Sequence, residues 1–167
     1  MQILGDNFDL TFSPVARQTS LRTFYAISAK HNLQLHQMDV NNAFLNAELD
    51  QSSDIYIETP EGYSGLSKEE CLRLHKELYG LKQAPREWNV TINNYLIEKG
   101  FTRLSSDNCI YVRGDINKGT YTIISIYVDD IMIAGQNIKE INKIKGEFNS
   151  KRKKRSWSCQ SLIRQSS

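Results

Sequence analysis

Two adjacent carboxylates, Asp129 and Asp130, interrupt an apolar run that reads TYTIISIYVDDIMIAG from Thr120 to Gly135. Before them Ile124, Ile126 and Val128 alternate with Ile123, Ser125 and Tyr127, and after them Ile131 to Ala134 resume the pattern. That period of two predicts a β-hairpin with both acids in its turn. A two-residue hairpin turn favours Asn-Gly or Asp-Gly, which reach positive φ at little cost. An isolated Asp is simply a good turn former in solvent. Two adjacent acids repel each other, however, and a cation on the tip would offset that repulsion, so both are candidate metal ligands. A third carboxylate, Asp39, ends the alternating segment LQLHQMDV, where an acid either serves a ligand or satisfies backbone donors. Farther along, Lys82, Gln83 and Arg86 gather where Pro85 opens a helix. Backbone donors, the helix dipole and two cations there would suit a phosphate, with a salt-bridged surface as the alternative.

These residues need elements to hold them. Residues 1 to 18 lack periodicity and contain Pro14, as a connection would. Ser20 can cap a helix whose Leu21, Phe24, Tyr25 and Ser28 share one face. After the strand ending at Asp39, Asn41 and Asn42 can cap a short helix holding Phe44 and Leu45. The segment IYIETPEGY, from residue 55, reads as a short strand and turn, and the acidic loop near Lys68 as solvated surface. Trp88, Ile92, Tyr95 and Leu96 carry one helix face toward a stop at Gly100. CIYVR, residues 109 to 113, predicts a strand, and Ile138, Ile141, Ile144 and Phe148 a last helix over 138–149.

The composition is that of one domain. A chain of 167 residues with 40% hydrophobic and 24% charged residues can bury a single core. Its net charge of +2 is too small for bulk attraction to nucleic acid, which would have to come from local placement. Cys71, Cys109 and Cys159 are odd in number and form no CxxC pair, which argues against a disulfide framework or zinc site and for a reducing intracellular compartment. No signal peptide or membrane-spanning run is evident.

Three segments in order, QMDVNNAFLNAEL at 37–49, KELYGLKQAPREW at 76–88 and YVDDIMIAG at 127–135, closely resemble the reverse transcriptase of copia-type long-terminal-repeat retrotransposons. TFSPVARQTS upstream and SDNCIYV between the last two extend the resemblance over roughly residues 8–150. It implies a mixed α/β (α+β) right-hand polymerase palm, a small antiparallel sheet with helices packed on one face, truncated fingers and no thumb. It also implies that Asp39, Asp129 and Asp130 are the catalytic acids, holding two Mg²⁺ ions, or Mn²⁺ in their place, with a backbone contribution from Val40. By the same resemblance Phe44 lies under the incoming sugar and selects deoxynucleotides, unless it is simply helix core. Gln83 lies near the nascent pair, Lys82 and Arg86 steady phosphates, and Tyr127 approaches the primer terminus. The implied partners are an RNA or DNA primer-template, deoxynucleotides and other parts of a Gag-Pol polyprotein. The implied setting is cytoplasmic, in a virus-like particle, with the nucleus as the alternative.

The chain departs from the family at Asn41-Asn42, where Lys-Thr is common, and at Ala47, where Gly is common. From Lys151 it reads KRKKRSWSCQSLIRQSS, which is unlike the family. We expect a polymerase fragment over 1–150 and a disordered basic tail over 151–167. The tail would be a frameshift product, since a one-nucleotide shift turns the Trp157 codon into a Gly codon and allows Lys-Asp-Leu before it. A nuclear signal or RNA-binding arm is the competing reading of KRKKR. The expected function is RNA-directed DNA polymerisation, weak or absent in the isolated chain. A catalytically inactive remnant that at most binds nucleic acid is the alternative, and a two-metal nuclease a third.

Overall fold

The computed structural model describes residues 11–40, 42–49, 55–62 and 71–154, with side chains through residue 148. Three helices and seven strands follow in the order α1 (Gln18–Lys30), β1 (Gln34–Asp39), a 3₁₀ turn (Ala43–Asn46), β2 (Tyr56–Glu58), β3 (Cys71–Arg73), α2 (Ala84–Glu98), β4 (Thr102–Arg103), β5 (Ile110–Asp115), β6 (Thr120–Tyr127), β7 (Asp130–Gly135) and α3 (Ile138–Lys154). β1, β7, β6, β5 and β4 form one antiparallel sheet in that order, and β2 pairs with β3 in a second.

The central strands β6 and β7 are buried on both faces, which explains why β6 reads as an almost continuous apolar run. Ile124, flanked by Tyr111 and Ile133, lies with Ile126 and Ile131 against Trp88, Ile92, Tyr95 and Leu96 of α2 and Ile141 and Ile144 of α3. Their neighbours Ile123 and Ala134 turn the other way, onto Phe24 of α1 and Leu33. Burying each such side chain contributes about 1.5–3 kcal/mol relative to leaving it exposed. Helices on a single face were expected, and α1 on the second face corrects that. Tyr25 also departs from the expected apolar stripe of α1, being solvent-exposed with an edge-on contact to the Phe24 ring.

Helix starts differ from expectation more than helix bodies do. α1 begins before Ser20, with Arg17 at its cap and no side-chain cap bond. Ser20 instead hydrogen-bonds Asp107. Burial alone would raise the pKa of Asp107, but bonds from Ser20 and from the Cys109 and Arg17 backbone bring it below the usual range. Asn42 precedes the 3₁₀ turn in a left-handed conformation with no side-chain cap bond, and Asn41 lies outside the described residues. α2 starts as expected, with Pro85 in its first turn, and stops where Gly100 reaches φ +79° and the Phe101 amide closes onto Leu96 O. α3 continues past the expected boundary at residue 150, and residues 155–167 of the expected tail lie outside the described residues.

Candidate active site

The β6–β7 turn is formed by Val128 and Asp129, not by the two acids, and Asp130 is already the first residue of β7. Val128 takes φ +56°, where the favoured hairpin turn would place Gly. A β-branched residue there stores about 1–3 kcal/mol of strain, which persists only where surroundings enforce it. Two bonds do so: Trp88 Nε1 donates to Val128 O at 2.8 Å, and the Val40 amide donates to Asp129 O at 2.9 Å. The second bond ties the hairpin tip to the chain just past β1.

That tie sets the tip carrying Asp129 and Asp130 beside the end of β1, which carries Asp39. Asp39 stands directly opposite Asp130 in the β1–β7 ladder, and Tyr127 opposite Asp130 in the β6–β7 ladder, so the side chains of Asp39, Asp130 and Tyr127 share a face, while Asp129 lies in the turn. Like charges facing each other across a ladder destabilise it. Asp39 and Asp130 are exposed and Asp129 half-buried. Gln37 Nε2 donates to Asp130 Oδ1 at 3.0 Å, and the Tyr79 hydroxyl donates to Asp129 Oδ2 at 3.2 Å. Three hard carboxylates with mutual repulsion suit a hard divalent cation in donor chemistry. Among the described residues no group of three His, Cys, Asp or Glu side chains is already arranged as a ligand set.

The remaining candidates surround this cluster unequally. Phe44 is 8% exposed and packs among Ala84, Trp88 and their neighbours, with its outer side against the Tyr79 ring at 4.5 Å between centroids. Tyr127 is exposed beside the acids. Val40 already uses its N–H on the hairpin tip. At the start of α2, Lys82 is exposed, Arg86 pairs with Glu87, and Gln83 is 7% exposed in the N-cap position. The structure thus gives Arg86 the salt-bridged alternative, and Gln83 a buried place beside Glu77.

Two residues escaped the sequence reading. Tyr79 carries no periodic signal; burial first, then the neighbouring Asp129 charge, raises its phenol pKa, so it remains a donor. Glu77 is 0% exposed, with neither carboxylate oxygen in hydrogen-bond geometry. Burial pushes its pKa up to about 7, the Gln83 side chain opposes the rise, and Glu87 adds to it. A raised carboxyl pKa stabilises the fold below its unfolded value near 4.5, and that contribution is lost as pH rises toward 7, amounting to about 3 kcal/mol. Glu77→Gln should therefore flatten the fall in stability between pH 5 and pH 7.5. Urea unfolding of both proteins at the two pH values checks this, and parallel losses in both would refute it.

Comparison with known proteins gives a consistent result. A family profile described as "Reverse transcriptase (RNA-dependent DNA polymerase)" matches residues 1–161. The chain is 37% identical over 145 residues to the "Retrovirus-related Pol polyprotein from transposon TNT 1-94" of Nicotiana tabacum, covering 86% of this chain and 11% of that protein. It is 38% identical over 135 residues to the corresponding polyprotein from transposon RE1 of Arabidopsis thaliana, covering 80% and 9%. The "Transposon Ty1-GR1 Gag-Pol polyprotein" of Saccharomyces cerevisiae is 28% identical over 137 residues, covering 79% and 7%. The chain spans about a tenth of the length of these curated relatives. No solved structure matches it significantly.

Proposed function

Since the chain belongs to the reverse transcriptase (RNA-dependent DNA polymerase) family found in copia-type transposon Pol polyproteins, we propose that it carries the palm-type nucleotidyl-transfer site of such an enzyme. In this reading Asp39, Asp129 and Asp130 hold the divalent cations, and deoxynucleotides are added to a primer paired with an RNA template. The observation that carries it is the juxtaposition of two distant segments, with Asp39 at the end of β1 opposite Asp130 on the sheet and the neighbouring Asp129 held in the hairpin turn by the Val40 amide. When bound, two Mg²⁺ ions supply charge neutralisation and a more acidic primer hydroxyl. The protein's own part is orientation. β1 and β7 present the acids, the Val128 turn sets the tip, and Gln37 holds one oxygen of Asp130.

The other residues bind. Tyr127, exposed on the same face as Asp39 and Asp130, meets the primer end, and exposed Lys82 at the positive end of α2 meets phosphate, joined by Arg86 where a phosphate displaces its Glu87 partner. Phe44, against the Tyr79 ring, is the residue set to lie under the incoming sugar, and Gln83, buried in the N-cap position of α2, is set back behind the nascent pair. The wider partners, a primer-template and the rest of a Gag-Pol polyprotein, follow from the family.

The test is extension of a labelled DNA primer on an RNA template by the purified chain. Weak Mg²⁺-dependent addition, short of processive synthesis, that stops with EDTA and resumes with Mn²⁺ is the expected result. Folded protein that adds nothing under either ion would favour an inactive remnant, and strand cleavage without nucleotides would favour a nuclease.

A further inference from the structure

Tyr79 is 49% exposed, and it belongs to neither buried cluster, so core packing does not account for it. Its side chain nevertheless has defined contacts with two candidate site residues from distant segments, and its hydroxyl also meets the Ala43 backbone. The hydroxyl reaches Asp129 Oδ2 at 3.2 Å, and the ring lies on Phe44 at 4.5 Å between centroids with a 52° tilt. The backbone around it is anchored rather than loose. Lys76 bridges to Glu48, the Glu77 amide donates to Ala47 O, and the Leu81 amide closes a turn onto Leu78 O. The phenol therefore approaches the hairpin tip from a fixed position.

We propose that Tyr79 is a positioning residue of the nucleotide-addition site, its hydroxyl fixing the rotation of the Asp129 carboxylate for a divalent cation while its ring is held in place by Phe44. The proposal rests on the polymerase reading above. A carboxylate has about four lone-pair sites, so one donor on Oδ2 leaves Oδ1 available to a cation. Partners of this kind orient metal-binding carboxylates, and their loss typically weakens metal affinity or activity about 10–100-fold. The turn makes such help necessary. Asp129 follows a strained Val128 at the end of a two-residue connection, and the bond from Val40 holds its backbone oxygen but not its carboxylate. In effect the aromatic pair transmits the position of the 43–49 segment to the tip.

Mn²⁺ alone provides the test. Titration of the full chain, followed by the electron paramagnetic resonance signal of free Mn²⁺, is compared for wild type, Tyr79→Phe and Asp129→Asn, with thermal unfolding of each as the control. Tyr79→Phe keeps the ring on Phe44 and removes only the hydroxyl. It should weaken Mn²⁺ binding about tenfold with an unchanged unfolding midpoint, and raise the Mg²⁺ concentration for half-maximal extension by a similar factor while the saturating rate recovers. Asp129→Asn should lose the tight binding. Wild-type affinity or tighter binding in Tyr79→Phe, with binding lost in Asp129→Asn, would overturn the role of Tyr79 and leave the polymerase reading standing. Equal binding by wild type and Asp129→Asn would overturn both.

Discussion

Asp129→Asn should reduce nucleotide addition by about a thousandfold, equivalent to about 4 kcal/mol of transition-state stabilisation. The substitution changes almost nothing but charge. Asn has the shape of Asp and tolerates turns, the Val40 amide still meets the residue 129 carbonyl, and Tyr79 can still donate to the remaining side-chain oxygen. What disappears is an anionic oxygen ligand at the point where Asp39 and Asp130 face each other. An amide oxygen neutralises none of a cation's charge, so the loss falls on catalysis rather than folding. Stability should hold or rise slightly, because one member of a repelling cluster is gone. Single-nucleotide addition under saturating Mg²⁺, paired with urea unfolding, separates the two effects. Activity within tenfold of wild type would remove Asp129 from the ligand set and leave Asp39 and Asp130 as a facing pair without a third partner.

Most of the strand framework around the candidate site was legible in the sequence because period two is a strong signal when apolar strands carry it. β1 and β6 end within a residue of the positions that alternation predicts, and the ordered motifs name the three acids. The turn register was not legible. A shift of one residue decides whether Asp130 sits in the turn or begins a strand, and no Gly marks the positive φ, which falls on Val128 instead. Which face α1 covers was also hidden, because Ile123 and Ile124 are equally apolar and only the structure shows them turned apart. Helix caps misled for a related reason. Ser20 and Asn42 have the right chemistry, but Ser20 bonds Asp107 and Asn42 adopts a left-handed backbone. Tyr79 and Glu77 had no signal of their own, since one acts through long-range contacts with Asp129 and Phe44 and the other through its burial.

The strained turn makes the largest stability prediction. Trp88 is 5% exposed in the core between α2 and the sheet, and its indole N–H supplies the Val128 carbonyl with a bond at 2.8 Å. Trp88→Ala should destabilise the fold by about 3–5 kcal/mol, the cost of removing a buried aromatic and leaving a cavity. That is a large share of the roughly 5–15 kcal/mol that holds a domain of this size. Trp88→Phe divides the effect. A benzyl ring keeps much of the packing but leaves the Val128 oxygen without its donor, so about 1–3 kcal/mol should be lost. Urea midpoints measure both variants, and hydrogen exchange at the Val40 amide reads the tip directly. If the indole bond holds Val128 in its left-handed conformation, Trp88→Phe should speed exchange at Val40 by more than its global destabilisation accounts for. Exchange that tracks global stability alone would mean that the tip keeps its shape without Trp88, and that the β6–β7 ladder is sufficient to hold Asp129 in place.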